Sequence, residues 1–288
     1  MGRLGFAAGL LALSLGGCSA TDLLAGLTAN PSITIQRDAA YALGARHRLD
    51  VYRPSQGGFA KPVVVFLYGG GWDQGDKEDY RFVGQSLASQ GFVTIIPDYR
   101  VYPAVRYPAF LQDNALAVRW ARDHAAEYGG DPAKLFLMGH SAGAYDAVML
   151  GVDRRWLGAV GLDPSRDVRG IIGLAGPYDF LPLHSDELKI IFGPPAARPD
   201  TQPINHVDAQ APPMLLMTDL GDKVVDPGNT ERMATRIRER GGRVETAAFP
   251  GLSHALVLGA IAAPLSFLAP VAREVDDFIG RETGEARS

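Results

Sequence analysis

Cysteine is nearly absent: the 288-residue chain holds one, Cys18. A lone thiol closes no internal disulfide, so the folded part depends on its apolar core. Basic runs are missing too, and the formal net charge is −4. With no basic stripe interleaved with aromatics, nucleic-acid binding has nothing to rest on. No segment repeats, which argues against solenoids and propellers. The histidines and aspartates show no convincing metal-ligand spacing, so no metal is expected, and the serine chemistry read below needs no organic cofactor. Charged residues make up only 21% against 47% hydrophobic, which excludes a disordered chain. The length suits one large α/β domain.

The N-terminus reads as a targeting segment. One positive charge, Arg3, precedes an apolar stretch from Leu4 to Leu15, and small residues follow. This is the layout of a secretory signal peptide. Twelve residues make a helix of about 18 Å, too short for a ~30 Å hydrocarbon core. Leu15-Gly16-Gly17-Cys18 also resembles the lipobox of bacterial lipoproteins, in which the chain is cut before the cysteine and the cysteine is acylated. Two or more acyl chains anchor stably. The expectation is therefore a signal peptide over 1–17, a lipidated Cys18, and a protein exported and held on the periplasmic or cell-surface side of a bacterial membrane. The alternative is a plain signal peptide with an incidental cysteine. Residues 18–31 read as a tether, with the folded domain, 32–288, starting near Ser32.

From there, short β-type runs alternate with helical stretches, the order that builds a mostly parallel sheet flanked by helices. Ile33–Arg37 and His47–Tyr52 read as a hairpin-like pair. Val63–Leu67 is continuously apolar, as in a strand buried on both faces. Further strands are expected at Phe92–Ile96, Lys134–Met138, Val168–Leu174, Met214–Thr218 and Val244–Phe249. Helices are expected at Tyr80–Ser89, Ala109–His124, Ala142–Leu150, Gly228–Arg240 and about Leu265–Ile279. Residues 180–210 are proline-rich and without periodicity, which reads as a lid, cap or substrate loop.

The sharpest motif is Gly139-His140-Ser141-Ala142-Gly143. It matches G-x-S-x-G, with a strand before it and a helix after it. The turn is strained, and side chains at the glycine positions would collide with neighbouring chain. Ser141 is the candidate nucleophile. Tyr68-Gly69-Gly70-Gly71-Trp72 follows directly on the strand Val63–Leu67. Glycines there let backbone N–H groups approach closely. The N–H groups of Gly70, Gly71 and Ala142 are the candidate oxyanion donors. Tyr68 and Trp72, which flank the glycines, are candidate substrate contacts.

The base should be a late histidine. His254 alone follows the last expected strand. His140 lies inside the elbow, where its side chain should point away from the Ser141 hydroxyl, and His184 and His206 fall in the expected lid segment. Three aspartates follow the strand Met214–Thr218. Asp226 precedes Pro227 at a helix start, a capping arrangement. Asp219 abuts the strand and suits the turn. Asp222 has no such structural role and is the candidate acid, with Asp226 as the alternative. Asp98, Arg100 and Asp179 read as loop braces.

At these residues the sequence resembles the α/β-hydrolase superfamily, and within it carboxylesterases with an HGGG-type loop. Those include hormone-sensitive-lipase-like, feruloyl-esterase-like and prenylcysteine-methylesterase-like enzymes. The resemblance covers nearly all of residues 45–280, including Pro97-Asp98-Tyr99-Arg100, Gly176-Pro177-Tyr178-Asp179 and Gly221-Asp222. It implies the α/β-hydrolase fold with a lid insertion, a triad acid at Asp222 and a small-molecule ester as substrate. The usual first His of HGGG is Tyr68 here, as it also is in the prenylcysteine methylesterases. A bacterial lipoprotein rarely meets prenylated protein, so that substrate is not carried over. The expected activity is hydrolysis of small or aryl carboxylic esters. The rival readings are a lactonase, amidase or peptidase with the same residues, and an inactive hydrolase fold used for binding.

Overall fold

The structure is a computed structural model and describes residues 19–285. Cys18 lies outside them, as does the expected signal peptide. Eight strands form one sheet: β1 Ile33–Ala40, β2 Arg48–Pro54, β3 Lys61–Leu67, β4 Val93–Pro97, β5 Gly130–His140, β6 Gly170–Leu174, β7 Met214–Asp219 and β8 Val244–Phe249. Their order is β1-β2-β4-β3-β5-β6-β7-β8. β1 and β2 enter antiparallel, and every pairing from β4 to β8 is parallel. The central strands carry continuous apolar runs, and Val63–Leu67 is wholly buried, as strands covered on both faces must be.

Ten α-helices accompany the sheet among the described residues: α1 Ala20–Leu27, α2 Arg81–Ser89, α3 Ala109–His124, α4 Ala142–Val152, α5 Arg154–Ala159, α6 Pro164–Asp167, α7 Asp186–Ile191, α8 Gly228–Glu239, α9 His254–Gly259 and α10 Val271–Thr283. Small residues show which face each helix covers. A side chain at Gly170 would strike Phe278 of α10, and one at Gly151 of α4 would strike Ile171. Residues 170 and 171 point to opposite faces of β6, so α10 and α4 lie on opposite sides. Phe136, which also touches the Gly170 position, shares its face with Val64 and Thr94 and so with Tyr52 through the register. Gly84 of α2 rides directly on the Tyr52 ring, so α2 shares the α10 side. α3 joins α4, with the Asn114 amide donating to Asp146 at 2.9 Å.

Two expectations change. The segment read as a tether carries α1. Ser19 and Asp22 form a reciprocal capping box, Ala25 is buried, and Asp22 pairs with Arg81 of α2 at 2.6 Å. The Thr28 hydroxyl donates to Gln85 at 2.7 Å. The fold therefore begins by residue 20 rather than near Ser32. The segment 180–210 is not one loop. It holds α7 and two 3₁₀ turns, Pro195–Thr201 and Pro203–Asn205. Those turns are pinned by Tyr145 donating to the Thr201 carbonyl at 2.7 Å and by Arg155 pairing with Asp200 at 2.9 Å. Short helices α5, α6 and α9 have no counterpart in the sequence reading, because four to six residues show no usable period.

Candidate active site

Ser141 sits where β5 ends and α4 begins, at φ 54° and ψ −123°. That left-handed backbone is costly for a residue with a Cβ. Its surroundings enforce it. A Cβ on Gly139 would lie 2.1 Å from the Gly143 carbonyl oxygen, and one on Gly143 would lie 2.0 Å from the Leu67 carbonyl oxygen. Only bare backbone fits between β3, β5 and α4. The Ser141 N–H is held by the Leu174 carbonyl at 2.9 Å. The N-terminus of α4 points its positive end at the serine.

Two loops meet the serine from the C-terminal ends of β7 and β8. His254 Nε2 lies 2.8 Å from the Ser141 hydroxyl. His254 Nδ1 lies 2.7 Å from Asp222 Oδ2. The carboxylate accepts only, so Nδ1 carries the proton and Nε2 is free to accept from the hydroxyl. Asp222 is itself oriented, because Oδ1 accepts from the N–H groups of Val224 at 2.8 Å and Val225 at 3.1 Å. Ser253 caps α9 through the Leu256 N–H, so His254 occupies the first turn of a short helix. Asp219 ties the loops together: its carboxylate accepts from Gly221 N–H and Leu252 N–H, both at 3.0 Å.

His140 bridges the elbow and the histidine loop. Its Nε2 donates to the His254 carbonyl at 2.9 Å. The two rings lie 4.8 Å apart. Burial, with a smaller contribution from the neighbouring His254, holds His140 down at about 4, so it is neutral near pH 7.

A cavity of about 440 Å³ opens at Ser141. Gly71, Trp72 and Ala142 border it, with Phe180, Leu183 and Leu188 from the 180–210 segment. Gly70 faces a neighbouring cavity that also reaches His140. None of the N–H groups of Gly70, Gly71 and Ala142 donates to a backbone acceptor among the described residues. Trp72 both packs and lines. Its ring meets Tyr145, Phe180 and Phe192, and its indole N–H donates to Asp146 at 3.1 Å. Asp146 is fully buried, and desolvation pushes its carboxyl well above the usual range.

Of the residues read from the sequence, the structure brings Ser141, His254 and Asp222 into one chain of hydrogen bonds, with Gly71, Ala142 and Trp72 beside them. Asp226 accepts from Gly228 N–H and Arg232, and it is Asp222 that meets the histidine. Tyr68 is a correction. It is completely buried, stacked on Tyr99 and Tyr80. Its hydroxyl donates to Asp98 at 3.0 Å and accepts from Arg46 at 2.6 Å. A buried phenol must satisfy its hydroxyl, and it does so away from the cavity. His184 borders the cavity, whereas His206 is engaged with the Asp200 carbonyl at 2.7 Å. Asp98, Arg100 and Asp179 act as braces, on Lys77 N–H, Asp113 and Arg232 respectively. Sequence reading missed Asp146 and Asn114. The signal was available in α4, where Asp146 is the single charge in an otherwise apolar helix.

A mostly parallel sheet, with a strained serine at a strand-to-helix turn and an imidazole and a carboxylate delivered by later loops, defines the α/β-hydrolase fold. Within that fold the chain belongs to the BD-FAE family, whose model matches residues 49–237, well over half of the chain. It is similar to the "Probable isoprenylcysteine alpha-carbonyl methylesterase ICMEL1" of Arabidopsis thaliana, at 27% identity over 76% of this chain and 51% of that protein. It is also similar to "Esterase LipC" of Mycobacterium tuberculosis, at 28% identity over 67% of this chain and 52% of that protein. The chain thus spans about half the length of these relatives. Among solved structures, Thermogutta terrifontis esterase 2 superposes with a TM-score of 0.71 at 25% identity, covering 90% of this chain and 97% of that one.

Proposed function

We propose that the protein is a serine carboxylesterase acting on small or aryl carboxylic esters through an acyl-enzyme. The observation that carries this reading is the continuous relay from Asp222 to His254 to Ser141, at 2.7 and 2.8 Å. In the mechanism, His254 takes the hydroxyl proton as Ser141 Oγ attacks the ester carbonyl. The N–H groups of Gly70, Gly71 and Ala142 hold the oxyanion. The protonated imidazole passes its proton to the leaving alcohol, and Asp222 stabilises the imidazolium meanwhile. Water, deprotonated by His254, then attacks the acyl-enzyme, which releases the acid and restores Ser141. The substrate class is supported by the cavity, about 440 Å³ with a largely apolar wall. It is supported too by the relatives, which are named as esterases. In the same reading Cys18 carries the lipid anchor, on the strength of the sequence around it.

A fluorophosphonate probe and a panel of p-nitrophenyl esters, lactones and peptides test the reading. The expected result is covalent labelling that Ser141→Ala abolishes, with turnover highest on short-chain and aryl esters. Peptide turnover without ester turnover would overturn it. Metabolic palmitate labelling tests the anchor separately, with loss in Cys18→Ser expected.

A further inference from the structure

α1 has its apolar side outward. One side of the helix packs on the body through Ala25, and its single charge, Asp22, is turned to Arg81. The solvent-facing stripe is then Ala20, Leu23, Gly26 and Leu27, with no charge in it. Leu23 is 64% exposed and Leu27 59%. A surface helix ordinarily shows the reverse arrangement.

A second segment continues this stripe. From Ala255 to Ala272 the sequence carries no charged residue, and Ser266 is its only polar side chain. Among these residues Phe267 is 79% exposed, and Leu256 and Leu268 also reach solvent. The two segments are neighbours. Leu24 and Leu265 border one cavity of about 530 Å³, and Leu27 and Ser266 border another of about 480 Å³. Exposed apolar clusters of this kind mark surfaces that meet a partner. What lies next to the surface identifies the partner. The N-terminal residues, 1–18, join the described chain at Ser19, the cap of α1, and Ala20 and Thr21 already border the larger cavity. Cys18, read from the sequence as the site of acylation, immediately precedes Ser19, so a lipid carried there is joined to the described chain at the edge of the patch.

We propose that the surface formed by α1 and residues 255–268 docks on a lipid bilayer, with Leu23, Leu27, Phe267 and Leu268 inserted among the headgroups and upper acyl chains. Short apolar side chains on an interfacial helix insert to this depth without spanning. The docked face is the α2/α10 side of the sheet, opposite α3. The inference draws on the anchoring reading only for the side from which the bilayer approaches.

The test uses the full-length chain with Cys18→Ser, so that docking is measured without lipidation and fails or succeeds independently of it. A single new thiol is placed at Phe267→Cys, at Leu23→Cys or, as a control on the far face, at Gln112→Cys of α3. Each is labelled with an environment-sensitive nitrobenzoxadiazole. Vesicles of phosphatidylethanolamine and phosphatidylglycerol, with or without a doxyl-labelled phosphatidylcholine, are then added. Labels at 267 and 23 are expected to shift to the blue and to lose at least about half their emission to the doxyl lipid, while the label at 112 changes little. Equal quenching at 112 and 267 overturns the proposal. So does a label at 267 already shielded before vesicles are added, whether by the chain's own N-terminal segment or, with a doubled mass in sedimentation, by a second copy.

Discussion

The two halves of the site are built by different physics. The serine half is built by crowding. Gly139 and Gly143 leave no room for a methyl group, α4 is buried along its whole length, and Ser141 is held at a positive φ by backbone on three sides. The half that carries His254 and Asp222 is built by hydrogen bonds between loops. Gly221 and Gly251 are exposed, and the 219–226 and 249–254 loops are joined by the carboxylate of Asp219. His140 belongs to the first half and donates to the second. The contrast teaches that Ser141 is placed by close-packed backbone of β3, β5 and α4 around a short local motif, whereas His254 and Asp222 are placed by a few polar ties between two exposed loops.

Removing the proposed nucleophile tests both halves together. Ser141→Ala is expected to lower kcat on a p-nitrophenyl ester by at least ~10⁴, since residues acting as a unit fail together. Residual activity above one-tenth contradicts the assignment. Breaking the crowded half alone should cost fold rather than chemistry. Gly143→Ala drives a Cβ into the Leu67 carbonyl, and overpacking against backbone is expected to lower stability by about 3 kcal/mol or more. The midpoint of urea unfolding measures it, and an unchanged midpoint refutes the steric account.

The bridge between the halves is a titration. His140 is held at about 4 by burial, while an unfolded histidine titrates near 6.5. Between those values the unfolded chain binds a proton that the folded chain refuses, so stability falls as pH drops from about 6.5 to about 4. In His140→Gln that contribution is missing. The stability difference between pH 7 and pH 4.5 should shrink by about 2 kcal/mol, read from unfolding midpoints at the two pH values. A difference as large as in the parent chain removes His140 as the cause. The smallest effect is expected in the hydrogen-bonded half. Asp219→Asn leaves Gly221 and Leu252 to share one acceptor oxygen in place of a carboxylate. It should reduce kcat about tenfold, a loss of roughly 1.4 kcal/mol, with the urea midpoint little changed. A large shift in that midpoint with kcat intact would reverse the comparison.

The sequence by itself determined what is local. The elbow was legible because its five residues between a strand and a helix form a local pattern, although the backbone that makes Gly143 obligatory is that of Leu67 in β3. The central strands were legible because β-branched and apolar runs are buried on both faces. His254 stood out by position after the last strand, and Asp222 emerged once Asp219 and Asp226 had been given structural work. The tertiary structure decided everything that depends on a partner far along the chain. It turned Tyr68 inward, because a hydroxyl at that depth had Asp98 and Arg46 to satisfy it. It made a packed helix of the segment read as a tether, through Arg81 and Gln85 some 60 residues away. It also placed Asp146 under Trp72, a pairing 74 residues apart. A short motif and a run of buried apolar residues can be read along the chain, whereas the satisfaction of a buried polar group is a property of the whole packing.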